Sequence, residues 1–146
     1  MNKILVIDDD QAICDLLAKV LSRRGYEVKT AVTGETGLGA IETFEPELLI
    51  VDKMLPEMHG SEVISQARAK RPFLGVILIT AFPEPFSLGP DRLDAYLAKP
   101  FKNLKLIEET VQKALESAAE ARRRDELKSK LAQVVADLTP GAKRRV

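Results

Sequence analysis

One cysteine, Cys14, is all the thiol chemistry that this chain of 146 residues carries. No internal disulfide can form, and a lone thiol points to a reducing compartment. Long apolar runs are missing too. Nothing approaches the ~18 residues of a membrane span. The apolar stretch at the N-terminus, "ILVI" at 4–7, ends in acid after four residues, which does not fit a signal peptide. Together these absences predict a cytoplasmic protein with no membrane partner. Internal repeats and low-complexity segments are absent. Histidine is reduced to His59, which falls in a loop and is expected to be exposed and incidental. Net charge is zero, with 22 basic and 22 acidic residues, but the charges are unevenly placed. Residues 1–101 hold 11 basic and 15 acidic residues, whereas 102–146 hold 11 and 7. That asymmetry suggests a separate role for the tail. Its basic cluster, "RRR" at 122–124, is diluted by acids, and no effector domain follows, so DNA binding is not expected.

What is present is alternation. The length fits one domain with an appendage, and a composition that is 45% hydrophobic and 30% charged is ordinary for a globular protein. Short segments, the apolar runs "KILVID" (3–8), "ELLIVD" (47–52) and "LGVILIT" (74–80) together with "YEVKTA" (26–31) and "AYLA" (95–98), read as strands. Between them, 12–25, 34–44 and 61–71 read as helices, with Gly25 and Pro72 as stops. The second is expected to be weak, because Gly37 and Gly39 each cost a helix up to ~1 kcal/mol against alanine. A last helical pattern begins near Phe101 and runs far. Five strands alternating with helices predict an open parallel sheet covered on both faces. Ligands in such sheets bind at the carboxyl ends of the strands, where strand order reverses.

Chemistry concentrates at those ends. Asp8-Asp9 follow the first strand, Asp52 ends the third, Thr80 ends the fourth, and Lys99-Pro100 follow the fifth. Three carboxylates at one sheet edge repel one another unless a cation sits among them. Mg²⁺ takes oxygen ligands and commonly pairs with phosphate. Lys99 then offsets further negative charge, and a carboxylate is a known phosphoryl acceptor. Asp10 reads more simply as the N-cap of the first helix.

In this set, "VIDDD" (6–10), "VDKMLPEMHG" (51–60), "LITA" (78–81) and "YLAKPF" (96–101), the chain resembles a response-regulator receiver domain, the phosphoacceptor half of two-component signalling, over about residues 2–120. The resemblance implies a flavodoxin-like doubly wound sheet of strand order 2-1-3-4-5 with an extended C-terminal helix. It implies that Asp52 accepts the phosphoryl group from the phosphohistidine of a sensor histidine kinase. Mg²⁺ would be held by Asp9 directly, Asp8 more through water, Asp52, and the backbone carbonyl of Met54. Thr80 would hydrogen-bond the phosphoryl group, Lys99 would pair with it, and Tyr96 would be the switch aromatic. The chain is then no enzyme in the ordinary sense but a phosphoacceptor that assists its own phosphorylation and dephosphorylation, with output through an unnamed protein partner. The Lys99-Pro100 peptide is expected to be cis, because the turn must aim Lys99 into the site.

Two departures from the family stand out. Lys53 follows Asp52 where the family tends to be apolar, and it either is merely solvated or tunes phosphate lifetime. The 19 positions from Thr80 to Lys99 are about three fewer than usual and include Pro83, Pro85 and Pro90, so 82–94 are expected to form at most a short or irregular helix. The family's output face therefore does not transfer. A module that no longer uses phosphate is the alternative reading. A haloacid-dehalogenase-type phosphatase is disfavoured because Glu108-Glu109, a late acidic pair, lie in a helical pattern and not at a strand end. Residues 1–118 are expected to form the receiver and 119–146 a helical extension and basic tail. Leu104, Ile107, Val111, Ala114 or Leu115, and Ala118 form a stripe for the sheet. Leu127, Leu131, Val134 and Leu138 form a second stripe with nothing of the domain left to cover it, which predicts a homodimer through 119–139.

Overall fold

The computed structural model describes residues 2–81 and 93–138. Its elements alternate as the apolar runs require: β1 (Lys3–Ile7), α1 (Gln11–Ser22), β2 (Glu27–Ala31), α2 (Gly34–Phe44), β3 (Leu48–Asp52), α3 (Gly60–Lys70), β4 (Gly75–Thr80), β5 (Ala95–Ala98) and α4 (Leu104–Leu138). The five strands form one parallel sheet of order β2-β1-β3-β4-β5. This is the flavodoxin-like doubly wound arrangement. The expectation of a short or irregular helix over 82–94 lies almost wholly outside the described residues.

Strand side chains alternate between faces, and the sequence uses both. Ile4, Val6, Leu48, Ile50, Ile77 and Ile79 point to one side, where Leu17 and Leu21 of α1 and Ile107, Val111 and Ala114 of α4 cover them. Leu5, Ile7, Leu49, Val51, Val76 and Leu78 point to the other, beneath Ile41 of α2 and Val63, Ile64 and Ala67 of α3. Continuous apolar strands are what two-sided burial demands.

Local chemistry sets the ends of these elements. Asp10 caps α1, its carboxylate accepting the Ala12 N–H at 2.9 Å, as expected. Gly25 takes a φ of +91° beyond the end of that helix, a conformation open to glycine without steric cost. The Lys99–Pro100 peptide is cis. Helix α2 forms in full despite its glycines, and packing explains one of them. A Cβ on Gly37 would stand 2.2 Å from Cδ1 of Ile7, so the residue is small because the helix lies hard against β1.

The α4 stripe needs one correction. Ile107, Val111, Ala114 and Ala118 are buried and Leu115 packs at their margin, but Leu104 is exposed. At ~100° per residue it stands about 50° off the centre of the buried stripe, on the first turn of the helix.

A residue that sequence reading passed over holds the far side of the sheet together. Asp94, just before β5, has a fully buried side chain. It accepts the Val76 N–H at 2.8 Å, the Ser117 hydroxyl at 2.8 Å and the Arg68 guanidinium at 3.3 Å. One carboxylate thus ties β4, α3 and α4 to the start of β5. Breaking a buried pair by removing one partner typically costs about 3–5 kcal/mol. Asp94→Ala is expected to destabilise the protein by that order in urea titration, and a loss below ~1 kcal/mol would refute this role.

Candidate functional site

The sheet register staggers the carboxyl edge by one residue from β1 to β3 and again from β3 to β4. Ile7 pairs with Val51, Asp52 with Ile79, and Thr80 with Ala98. By this register Asp8 stands level with Asp52, Lys53 with Thr80 and Ala98, and Lys99 one residue further out, and the backbone seals them there. Asp8 donates its N–H to Ala31 O at 3.1 Å, Lys53 to Ile79 O at 2.9 Å and Lys99 to Thr80 O at 2.9 Å. Strand order reverses between β1 and β3, with α1 and α4 on one face and α2 and α3 on the other. This is the switch point at which doubly wound sheets bind ligands.

Asp8, Asp9 and Asp52 meet there. Each offers a carboxylate oxygen, and the three oxygens lie within 4.8 Å of one another. Asp8 is completely buried, Asp52 nearly so, and Asp9 faces solvent. Asp8 Oδ1 accepts the Asp10 N–H at 2.9 Å. Its Oδ2 faces the Lys99 ammonium at 3.1 Å and, among the described residues, has no other donor. The same ammonium stands 3.6 Å from Asp52 Oδ2. A buried carboxylate oxygen with spare coordination, beside two more carboxylates, suits a hard divalent cation. The donor set therefore fits a metal ion.

Electrostatics follow from this geometry. Burial pushes the Asp52 carboxyl above the ordinary range, and the charge on Asp8 raises it further. Lys99 offsets part of that, Asp9 adds to it, and the backbone N–H of Met54 hydrogen-bonds the charged form and lowers it. For Lys99, burial alone would lower the value. The hydrogen bond to Asp8 and the charges of Asp8, Asp52 and Asp9 outweigh it, so the ammonium is held above the ordinary lysine value.

The segment after Asp52 is tightly folded. Met54 and His59 form an isolated antiparallel bridge, and Gly60 donates to Lys53 O at 2.8 Å. A Cβ on Gly60 would sit 2.5 Å from the Asp52 carbonyl oxygen, so the first residue of α3 has to be small for the loop to close. Glu57 reaches across to accept the backbone N–H of Gly34 at the start of α2. Nothing in the sequence separates this glutamate from a solvated one, since its partner lies 23 residues away.

The remaining expected residues are nearby. Thr80 is buried at the end of β4. The Met54 side chain is exposed. Tyr96 is half-buried on β5 and packs at the margin of the core beneath α2 and α3. His59 is exposed at the N-cap of α3, without a side-chain capping bond. Cys14 is inert by construction. Burial, then the charge of Asp8, push its thiol up to about 11, so little thiolate exists at neutral pH.

A doubly wound five-stranded sheet with an acidic triad and a lysine at its switch point defines an α/β domain whose ligand site lies at that edge. The comparisons narrow this to one family. The profile described as the response regulator receiver domain matches residues 4–112, and the chain belongs to that family. It is 42% identical over 103 residues to the alkaline phosphatase synthesis transcriptional regulatory protein PhoP of Bacillus subtilis, covering 68% of this chain and 43% of that one. It is 38% identical over 103 residues to the response regulator MprA of Mycobacterium avium, covering 68% and 45%. The chain thus spans less than half the length of these curated relatives. Among solved structures, it resembles a CheY-like receiver domain protein of Methanospirillum hungatei, with a TM-score of 0.73 and 32% identity over 83% of this chain and 98% of that one. It also resembles the chemotaxis protein CheY4 of Vibrio cholerae, with a TM-score of 0.72 and 27% identity over 78% and 98%. A receiver is a signalling domain, and none of the helices among the described residues is long and apolar enough to cross a membrane.

Proposed function

We propose that this receiver accepts a phosphoryl group on Asp52 from a phosphohistidine of a sensor kinase, with Mg²⁺, and signals by changing its protein contacts. The observation that carries this reading is the ammonium of Lys99 set 3.1 Å from Asp8 and 3.6 Å from Asp52 beside three converging carboxylates. An Asp52 oxygen attacks phosphorus as the bond to the donor imidazole breaks, and the electron pair of that bond leaves with the imidazole. Such transfers pass through a loose in-line transition state that needs positioning and charge neutralisation more than covalent help. Asp52 is held by β3 and its tight loop, so the nucleophile is fixed before the donor arrives. Asp8, Asp9, Asp52 and the Met54 carbonyl would hold the cation, which supplies charge neutralisation at the phosphoryl oxygens. Lys99 supplies a second positive charge from β5, and the Thr80 hydroxyl supplies a hydrogen bond from β4 once the group is in place. New contacts at Thr80 favour one of two loop states, with Tyr96 at the neighbouring edge following. Lys53, beside the acceptor, is the residue placed to tune the lifetime of the phosphate. The compartment is the cytoplasm, where the kinase would meet it. The receiver occupies 1–118, and 119–146 form an extension to it.

Incubation with a small acyl-phosphate donor and Mg²⁺ tests this directly. The chain should gain one phosphoryl group, stable only without hydroxylamine, on the peptide containing Asp52. No uptake with Mg²⁺ present would leave the chain as a protein-interaction module that does not use phosphate.

A further inference from the structure

The second half of α4 leaves the domain with an apolar face turned away from it. Leu127, Leu131, Val134 and Leu138 are each more than half exposed, as is neighbouring Val135. The helix continues unbroken to Leu138. At ~100° per residue, the centre of this second stripe is rotated about 160° from that of Ile107, Val111, Ala114 and Ala118, which face the sheet. The stripe therefore looks out from the back of the helix, and the domain's own bulk does not obstruct a partner approaching it.

The spacing 4-3-4 is that of alternating d and a positions in a heptad, with Leu127 and Val134 at d and Leu131 and Leu138 at a. The flanking residues then decide orientation. Arg123 and Lys130 and Asp137 fall at g, and Lys128 and Val135 at e. In a parallel, in-register pair, each g faces the e of the next heptad across the seam. That sets Arg123 against Lys128 of the other copy, twice by symmetry, and leaves Lys130 against Val135. In an antiparallel pair centred between Leu131 and Val134, g faces g and e faces e. Leu127 then meets Leu138, Leu131 meets Val134, and Lys130 meets Asp137 at both ends of the seam. The aliphatic stem of Lys128 lies over Val135. The antiparallel register thus satisfies both charge and shape, whereas the parallel one opposes like charges.

We propose that α4 pairs with a second copy of itself through 127–138 as a short antiparallel coiled coil. The pairing stands independently of the phosphoacceptor reading. Geometry permits it. Ala118 lies about 22 Å along the axis from the centre of the seam, whereas Leu138 of the other copy ends about 8 Å from that centre. Leu138 of the partner helix thus lies well short of the domain, and the two receivers sit at opposite ends. Four layers over twelve residues make a small interface, so association is weak and reversible.

Sedimentation of the full chain from ~10 to ~500 µM should show monomer passing into dimer. Leu131→Lys places a charge in an apolar layer and should weaken dimerisation at least ~10-fold, with helix content unchanged by circular dichroism because the site is on the surface. Lys130→Glu and Asp137→Lys should each weaken it roughly 3- to 10-fold, and the double variant should return to within about 2-fold of the original. Within one helix these two residues are about 10.5 Å apart along the axis, so recovery reports a contact between copies. A chain that remains monomeric throughout overturns the proposal. A dimer that Leu131→Lys does not weaken overturns the seam, and one that the charge swap does not rescue overturns the antiparallel register.

Discussion

Asp52→Asn should leave the receiver folded, yet cut phosphoryl uptake at least ~10³-fold, because the covalent step loses its nucleophile. The amide keeps the volume of the carboxyl and removes its charge. That second change is not neutral for stability. Burial and the Asp8 charge hold the Asp52 carboxyl above its ordinary value. A group raised on folding contributes stability below its unfolded value and loses that contribution as pH rises through the folded one. At pH 7 the ionised carboxylate therefore works against the metal-free fold. In the presence of a chelator, Asp52→Asn should melt at a higher temperature than the unmodified chain at pH 7, and the gap should narrow as pH falls through the carboxylate range. Mg²⁺ should stabilise the unmodified chain and stabilise the variant less. Uptake persisting in Asp52→Asn would mean another residue is the acceptor. A variant that melts lower at pH 7 would mean that the Asp52 carboxyl is not held above its ordinary value.

Lys99→Met is expected to have the larger effect on stability. Asp8 is entirely buried, and Lys99 is the cation that faces its Oδ2. Removing one member of a buried pair costs about 3–5 kcal/mol, because the other charge is left uncompensated. The low end applies here, since Asp9 is exposed beside the pair and the lysine itself is partly exposed. With chelator, Lys99→Met should lose roughly 3 kcal/mol in urea titration. Saturating Mg²⁺ should recover much of it, since a ligand at a hundred times its dissociation constant adds about 2.7 kcal/mol. Asp8→Asn combined with Lys99→Met should also recover part of the stability, because the fully buried Asp8 charge is removed together with its partner. The pH signature distinguishes this pair from Asp52. The Lys99 value is raised, so its contribution is full below the ordinary lysine value of 10.5 and fades only above it. A loss below ~1 kcal/mol, or none recovered by the double variant, would show that solvent already screens the Asp8 charge.

Strands β1, β3 and β4 were legible because they are buried on both faces and so read as uninterrupted apolar runs. The residues at their carboxyl ends could be listed before any geometry was known, and three of the acids do meet. The long helix was legible as well, since neither glycine nor proline interrupts 103–139. The remainder depended on partners distant in the chain. Asp94 is one acid among many until Arg68, 26 residues earlier, and Ser117, 23 later, converge on it. Gly37 looks like a weakness in a helix until Ile7 is found where its Cβ would be. Leu104 looks like part of the buried stripe because periodicity marks a residue's direction but not whether the core extends beneath it.

The hydrogen bond from Ser117 to Asp94 gives the projecting helix a mechanical character. It fastens α4 to the start of β5, the strand whose far end carries Lys99. Beyond Ala118 the helix extends a further 20 residues to Leu138, about 30 Å at 1.5 Å per residue. A rigid rod anchored at its base magnifies rotation: a tilt of about 5° at the anchor carries the tip about 2.6 Å sideways over that length. That is roughly half of one helical pitch of 5.4 Å. Small adjustments at the strand would thus be read out at the tip as displacements comparable to the spacing between neighbouring side chains.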